Sequence, residues 1–200
     1  REQIRFELSD DGKFWMSFDD FVDEFSKVSV CLLPTDMSLD MEIHSKWAGK
    51  SAGGCPNNRD SVMNNPQIVI SITKPTDVVL TLTQQDTRIG VGSNKREHEA
   101  VGLQLLYGSN LDRARSSSEF HRYEVGSNGT WKMEREVTMK LQLTMRGSGD
   151  TTKYVVVPST FDAGVERGFT LRAFTQAHKE SVQVVAKYNC DEDEGTLQQL

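Results

Sequence analysis

Val137, Met139, Leu141, Leu143 and Met145 alternate without a break with Thr138, Lys140, Gln142 and Thr144. A period of two is the signature of a strand whose one face meets a core and whose other face meets water. No helix can sort these residues into one apolar face, so the segment commits the chain to sheet. Arg146-Gly147-Ser148-Gly149-Asp150 follows as a turn, its two glycines free to take positive φ. Tyr154 to Val157 is a second, β-branched strand, closed in this reading by Pro158, which has no N–H for a ladder. Past the Asp162-Ala163-Gly164 turn, Phe169, Leu171 and Ala173 alternate with Thr170 and Arg172 as a third. Three strands joined by short polar turns imply an antiparallel sheet with one wet face.

Earlier strands follow the same rule. Ile68, Ile70 and Ile72, then Val78, Leu80 and Leu82, then Val101, Leu103, Leu105 and Tyr107, recur at roughly ten-residue spacing with polar turns between them. Gly108 to Ser118 reads as a polar loop and Phe120 to Val125 as a weaker strand; no helical period is visible after residue 26. Val182, Val184 and Val185 extend a strand in the last part of the chain. The expected fold is mainly β, an antiparallel sandwich of about eight strands within residues 34–178. Residues 179–200 read as an acidic tail or linker.

Residues 1–33 are of another kind. Ile4, Phe6 and Leu8 alternate, Ser9-Asp10-Asp11-Gly12 turns, and Phe18, Phe21, Val22 and Phe25 fall at the i, i+3, i+4, i+7 spacing of one helical stripe. Ser17 can cap that helix, with acid in its first turn. Val28, Val30 and Leu32 alternate again, and Pro34 to Asp40 reads as a polar linker. Phe14, Trp15 and Phe18 lie within five residues of one another. A unit of ~30 residues cannot bury them alone, so this segment expects a large partner surface.

Charge narrows the partners. The net charge is −6, yet residues 26–190 hold 20 basic against 17 acidic groups, while the ends are acidic, Asp191 to Glu194 above all. That near-neutral body does not suggest nucleic-acid binding. No apolar run approaches the ~20 residues of a membrane span. The three cysteines, Cys31, Cys55 and Cys190, are widely spaced and odd in number, which gives neither a disulfide framework nor a metal clip. Reduced thiols point to a cytoplasmic protein. The chain opens on Arg1 rather than Met and reads as a piece of a longer protein.

Four stretches, in order, then carry a resemblance. They are Asp11-Gly12-Lys13-Phe14-Trp15-Met16-Ser17-Phe18-Asp19-Asp20-Phe21; Lys46 to Cys55 with Asn65-Pro66-Gln67; Lys153 to Phe161; and Gly168 to Phe174. The first is similar to the motif that ends the protease core of calpains, calcium-dependent papain-like cysteine endopeptidases. The other three resemble the calpain β-sandwich domain. The resemblance implies a strand-helix-strand remnant of the protease core over residues 1–33, followed by the sandwich. It further implies a parent enzyme that hydrolyses intracellular proteins and a non-catalytic, regulatory or structural role for this part. Its partners would be its own protease core and anionic phospholipid at a membrane. The alternative is an adaptor sandwich, binding lipid or protein, of a catalytically inactive homologue.

No segment resembles the family's motifs around the nucleophilic Cys or the His, so this chain carries no catalytic residues. Cys55 follows two glycines but occupies the sandwich-opening motif, and a structural thiol is the expectation for it and for Cys31. The family's calcium site implies Asp11 as a ligand through its carboxylate and Ser9 through its carbonyl. Lys13 stands where an acid is expected, and an ammonium repels a hard cation. Calcium is thus implied for the parent and for no site of this chain with any force. Only Lys74-Pro75-Thr76-Asp77 joins the strand after Asn65-Pro66-Gln67 to the next, in place of the family's long acidic loop. Arg113, Arg115 and Arg122, beside His121, are the candidates for meeting anionic headgroups, each basic group being worth ~1 kcal/mol near such a surface. His44, His98, His121 and His178 have no ligand spacing.

Overall fold

The computed structural model describes residues 14–26, 37–85, 98–176 and 182–190. The chain divides into two compact units, Arg1–Thr35 and Asp36–Leu200. In the first, helix α1 (Phe18–Glu24) starts where the sequence places it. The Ser17 side chain accepts a hydrogen bond from the Asp20 amide at 3.1 Å, and Asp19 and Asp20 put acid in the first turn. Phe21 and Phe25, one turn apart, stack at 4.9 Å. None of the helix residues is buried, and Phe14, Trp15, Phe18, Val22 and Phe25 are exposed, Trp15 at 65%. The strands expected at Ile4–Leu8 and Val28–Leu32 lie outside the described residues.

The second unit is the antiparallel sandwich. Its strands are β1 (Ser38–Trp47), β2 (Gln67–Ile72), β3 (Thr76–Gln84), β4 (Val101–Leu106), β5 (Glu124–Ser127), β6 (Glu136–Leu143), β7 (Thr152–Thr160), β8 (Arg167–Thr175) and β9 (Val182–Tyr188). One sheet has the order β1-β8-β3-β6, the other β5-β4-β7-β2-β9. The Lys74–Pro75 turn carries the chain from one sheet to the other, between β2 and β3.

Burial separates the two sheets. In β6 the alternation read from sequence is seen directly: Val137, Met139 and Leu143 are buried while Glu136, Thr138, Lys140 and Gln142 are exposed. In β4 all six residues are buried, and in β7 all but Lys153. The reason is a second apolar layer. Val69, Leu106, Val155, Val157 and Ala186 point away from the main core into a cluster closed by Val62, Leu111, Ala114 and Phe120. Phe120 belongs to helix α2 (Ser117–Tyr123), which covers the outer face of the five-stranded sheet. Strands buried on both faces lose alternation and read as continuous apolar runs.

Four expectations change here. Phe120 begins no strand: Ser116 caps α2 by accepting from the Glu119 amide at 3.3 Å, and β5 starts only at Glu124. One buried residue gives this helix no apolar period to read. Pro158 does not close β7. It lies opposite Leu103, whose N–H donates to Asn128 Oδ1 (2.7 Å) and whose carbonyl accepts from the Asn128 amide (3.1 Å). That pair therefore needs no bond from Pro158, and the β2 pairing has already ended at Val156. Strand β1 occupies Ser38–Trp47, including part of the segment read as linker. The strand read at Val182, Val184 and Val185 is β9, but it belongs to the sandwich and not to a tail beginning at residue 179, pairing with β2 from Ile72 to Gln67.

Trp47 joins the two sheets. Its ring is 1% exposed, packs on Phe169 at 4.4 Å, and donates from Nε1 to the Pro158 carbonyl of the opposite sheet at 3.0 Å. On the wet face of the four-stranded sheet, Arg172 donates to Glu42 across β1 and β8, and His44 also meets Glu42 at 3.1 Å. The Arg172 hydrogen bond holds the Glu42 carboxyl below the usual carboxylate range. Its contribution is present at neutral pH and fades as acid protonates the group.

Trp47→Phe keeps most of the packing but leaves the Pro158 carbonyl buried without a donor, so the expected loss is ~1–3 kcal/mol in urea denaturation. Trp47→Ala should lose ~3–5 kcal/mol through the cavity as well. Equal stability of Trp47→Phe and the parent protein would show that the inter-sheet bond contributes nothing.

Candidate functional site

Asn65-Pro66-Gln67 opens β2, and its two amide side chains do most of the local building. Asn65 Oδ1 accepts from the Gly53 amide (3.2 Å), while Nδ2 donates to the Gly54 and Val62 carbonyls at 2.8 Å. Gly53 must be glycine: a Cβ there would stand 2.1 Å from the Ser61 carbonyl oxygen. Gln67 Nε2 donates to the Met63 and Ala114 carbonyls, and Oε1 accepts from the Ala114 amide, each at 2.8 Å. Both amides are 2% exposed, so their bonds are shielded from water. Gln67 thereby pins the loop that leads into α2 and fixes where Arg113 and Arg115 stand.

Those two arginines line one open cleft of about 400 Å³ with Asn64, Tyr188, Asn189 and Cys190. The Arg113 guanidinium lies over the Tyr188 ring, 5.2 Å from its centre. Arg115 meets Asp112 at 3.7 Å with both side chains well exposed, a weak pair. Its amide donates to Glu119 Oε2 at 2.7 Å, which ties the loop to the first turn of α2. Among the described residues no carboxylate lines the cleft, whose charged groups are the two guanidiniums, with Asp112 against Arg115. Asn189 Oδ1 is buried beside it with no hydrogen-bond partner. The arrangement can take an anion at the guanidinium groups and a hydrogen-bond donor at the Asn189 oxygen.

The structure thus brings together Arg113 and Arg115 and leaves Arg122 elsewhere. Arg122 is on α2, over the Tyr123 ring at 5.6 Å, and does not line the cleft. Asp11, Ser9 and Lys13 lie outside the described residues. Among the described residues no cluster of three or more His, Cys, Asp or Glu side chains could hold a metal ion. Cys55 is 1% exposed; its amide donates to the Phe161 carbonyl (3.1 Å), and Asn58 Nδ2 lies 3.6 Å from its sulfur. It is a structural thiol of the loop. Sequence reasoning missed Tyr188 and Asn189, because their place beside Arg113 follows only from the β2–β9 pairing.

Two family models match the chain. The model described as calpain large subunit, domain III covers residues 43–174, and that of the calpain family cysteine protease covers residues 1–32. A two-sheet antiparallel sandwich joined to the end of a cysteine-protease domain is therefore the class. The chain belongs to the calpain family. It is 32% identical to Calpain-9 of Rattus norvegicus over 92% of its own length and 28% of that protein. It is 31% identical to a calpain of Schistosoma mansoni, over 88% of this chain and 25% of that protein. With the Calpain-1 catalytic subunit of Gallus gallus it shares 28% identity over 96% of this chain and 30% of that protein. The chain spans between a quarter and a third of the length of these relatives.

Gln67→Leu removes all three pinning bonds at once and should cost ~2–4 kcal/mol, since buried backbone groups of Ala114 and Met63 lose their partners. The freed loop should also be cut faster by trypsin after Arg113 and Arg115. Unchanged cleavage and unchanged denaturation would mean that the loop holds itself.

Proposed function

We propose that this chain is the non-catalytic regulatory and structural part of a calcium-dependent calpain-type cysteine endopeptidase acting on intracellular proteins. The observation that carries the reading is the pairing, in one chain, of the end of a cysteine-protease domain with domain III. The exposed side chains of Phe14, Trp15, Phe18, Val22 and Phe25 support it, because they form the apolar surface that the rest of a protease core would cover. The sandwich then holds and tunes that core by contact within one polypeptide. The test uses the whole parent protein. Trp15→Ala should lower its stability by ~3–5 kcal/mol and reduce calcium-dependent casein cleavage. A parent that cleaves no casein with or without calcium, under conditions where it is folded, overturns the reading.

The arginine-lined cleft favours a second role, contact with anionic phospholipid at the membrane face of a cytoplasmic protein. Arg113 and Arg115 on one cleft, with no carboxylate among its described lining residues, support this reading. The chain should co-sediment with phosphatidylserine vesicles at low salt, and Arg113→Ala/Arg115→Ala should weaken that by about 2 kcal/mol, ~1 per basic group. Arg122→Ala, off the cleft, serves as the control. Equal binding by all three proteins would remove the cleft from the account.

A further inference from the structure

Among the described residues one side of the sandwich is open. At the far side β1 and β9 are the edge strands; at this side the edges are β5 and β6. Between β5 and β6 runs a groove of about 270 Å³ whose floor is made by Leu105, Met139, Leu143 and Tyr154. Val125, 42% exposed, and half-buried Leu141 form its apolar lips. Tyr154 on the floor is already satisfied, donating to the Thr144 carbonyl (2.7 Å) and accepting from its amide (3.2 Å).

The backbone of β6 is half used. Gln84 donates its amide to the Arg135 carbonyl at 2.8 Å, so every second residue from there, Val137, Met139, Leu141 and Leu143, directs its backbone groups to β3. By the same alternation the N–H and C=O groups of Thr138, Lys140 and Gln142 face the open edge. β6 pairs with β3 and with no other strand among the described residues. At the Leu143 end stands Arg146, its backbone held by Thr152 Oγ1 (2.8 and 3.1 Å) and its guanidinium over the Tyr107 ring at 4.8 Å. Lys140 and Arg146 line the groove, and among the described residues no carboxylate does.

We propose that this edge takes an extended acidic peptide segment of a partner protein, which adds a strand beside β6, covers Val125 and Leu141, and sets a carboxylate against Arg146. Main-chain bonds to Thr138, Lys140 and Gln142 supply the ladder, and the pocket under alternate side chains supplies selectivity. Charge decides between occupants. Antiparallel pairing of two β6 edges centred on Lys140 sets like charges side by side, and an edge lysine opposes self-pairing. An acidic strand turns the same lysine and Arg146 into attraction.

The test uses the whole chain and a fluorescein-labelled hexapeptide alternating Val and Thr and ending in Glu, followed by anisotropy at low salt. Arg146→Ala should weaken binding about tenfold, and replacing the terminal Glu by Lys should weaken it at least as much. Gln142→Pro removes one outward N–H and no bond to β3, a change an edge strand tolerates, and should abolish binding. Should that variant fail to fold, hydrogen exchange decides instead: the amides of Thr138, Lys140 and Gln142 must slow when the peptide is bound. Equal binding of the Glu and Lys peptides, or no protection at those amides, overturns the proposal. So does a concentration-dependent dimer whose contact is lost in Gln142→Pro, because the occupant is then a second copy.

Discussion

The bond from the Trp47 indole to the Pro158 carbonyl is the constraint that makes two sheets into one body. A sandwich core of Ile, Leu and Val excludes water but does not by itself decide how far one sheet slides over the other. A fully buried N–H donor has to find its acceptor, and only one relative position of β1 and β7 supplies it. The geometry also resolves the conflict of a proline inside a buried strand. Pro158 has no donor to offer where none is asked for, and its carbonyl is free for the tryptophan because the β2 pairing ends at Val156.

Buried amide side chains repeat this logic at the sandwich ends. Gln84, 2% exposed, donates to the Glu99 and Glu134 carbonyls at 2.7 Å and accepts from the Glu99 amide at 3.1 Å. Asn65 and Gln67 do the same for the loops around Gly53 and Ala114. An amide carries a donor and an acceptor on one short arm, so it can replace a missing strand partner on a loop that has none. The arginine-lined cleft is a by-product of one such pin. Gln67 fixes Ala114, and the arginines on either side are then held at the rim where β9 ends.

Reading residues alone reached the strands with one wet face and also the apolar runs of β2, β4 and β7, but not that these are dry on both faces. β6 and β8 carry clean alternation because water touches one side of the four-stranded sheet. β1 also alternates, Met41, Ile43 and Trp47 being buried, but the polar residues before it hid its start. Around Phe120 the signal was absent for a physical reason: a two-turn helix resting on one buried ring has no period to detect. The candidate arginines were legible as a charged loop, while their grouping was not. Arg122 stands only seven residues past Arg115, yet the helix carries it off the cleft.

By itself the sequence determined the fold class, the capped helix before the sandwich and the family, since these rest on local period, capping residues and motifs read along the chain. Tertiary structure alone decided that Pro158 continues a strand, that Tyr188 and Asn189 stand beside Arg113, and that β5 and β6 leave an edge open. Each of these depends on which strand lies next to which, over separations such as the 111 residues between Trp47 and Pro158. Pairing over such distances is set by the joint packing of two sheets, and no short window of residues contains that information.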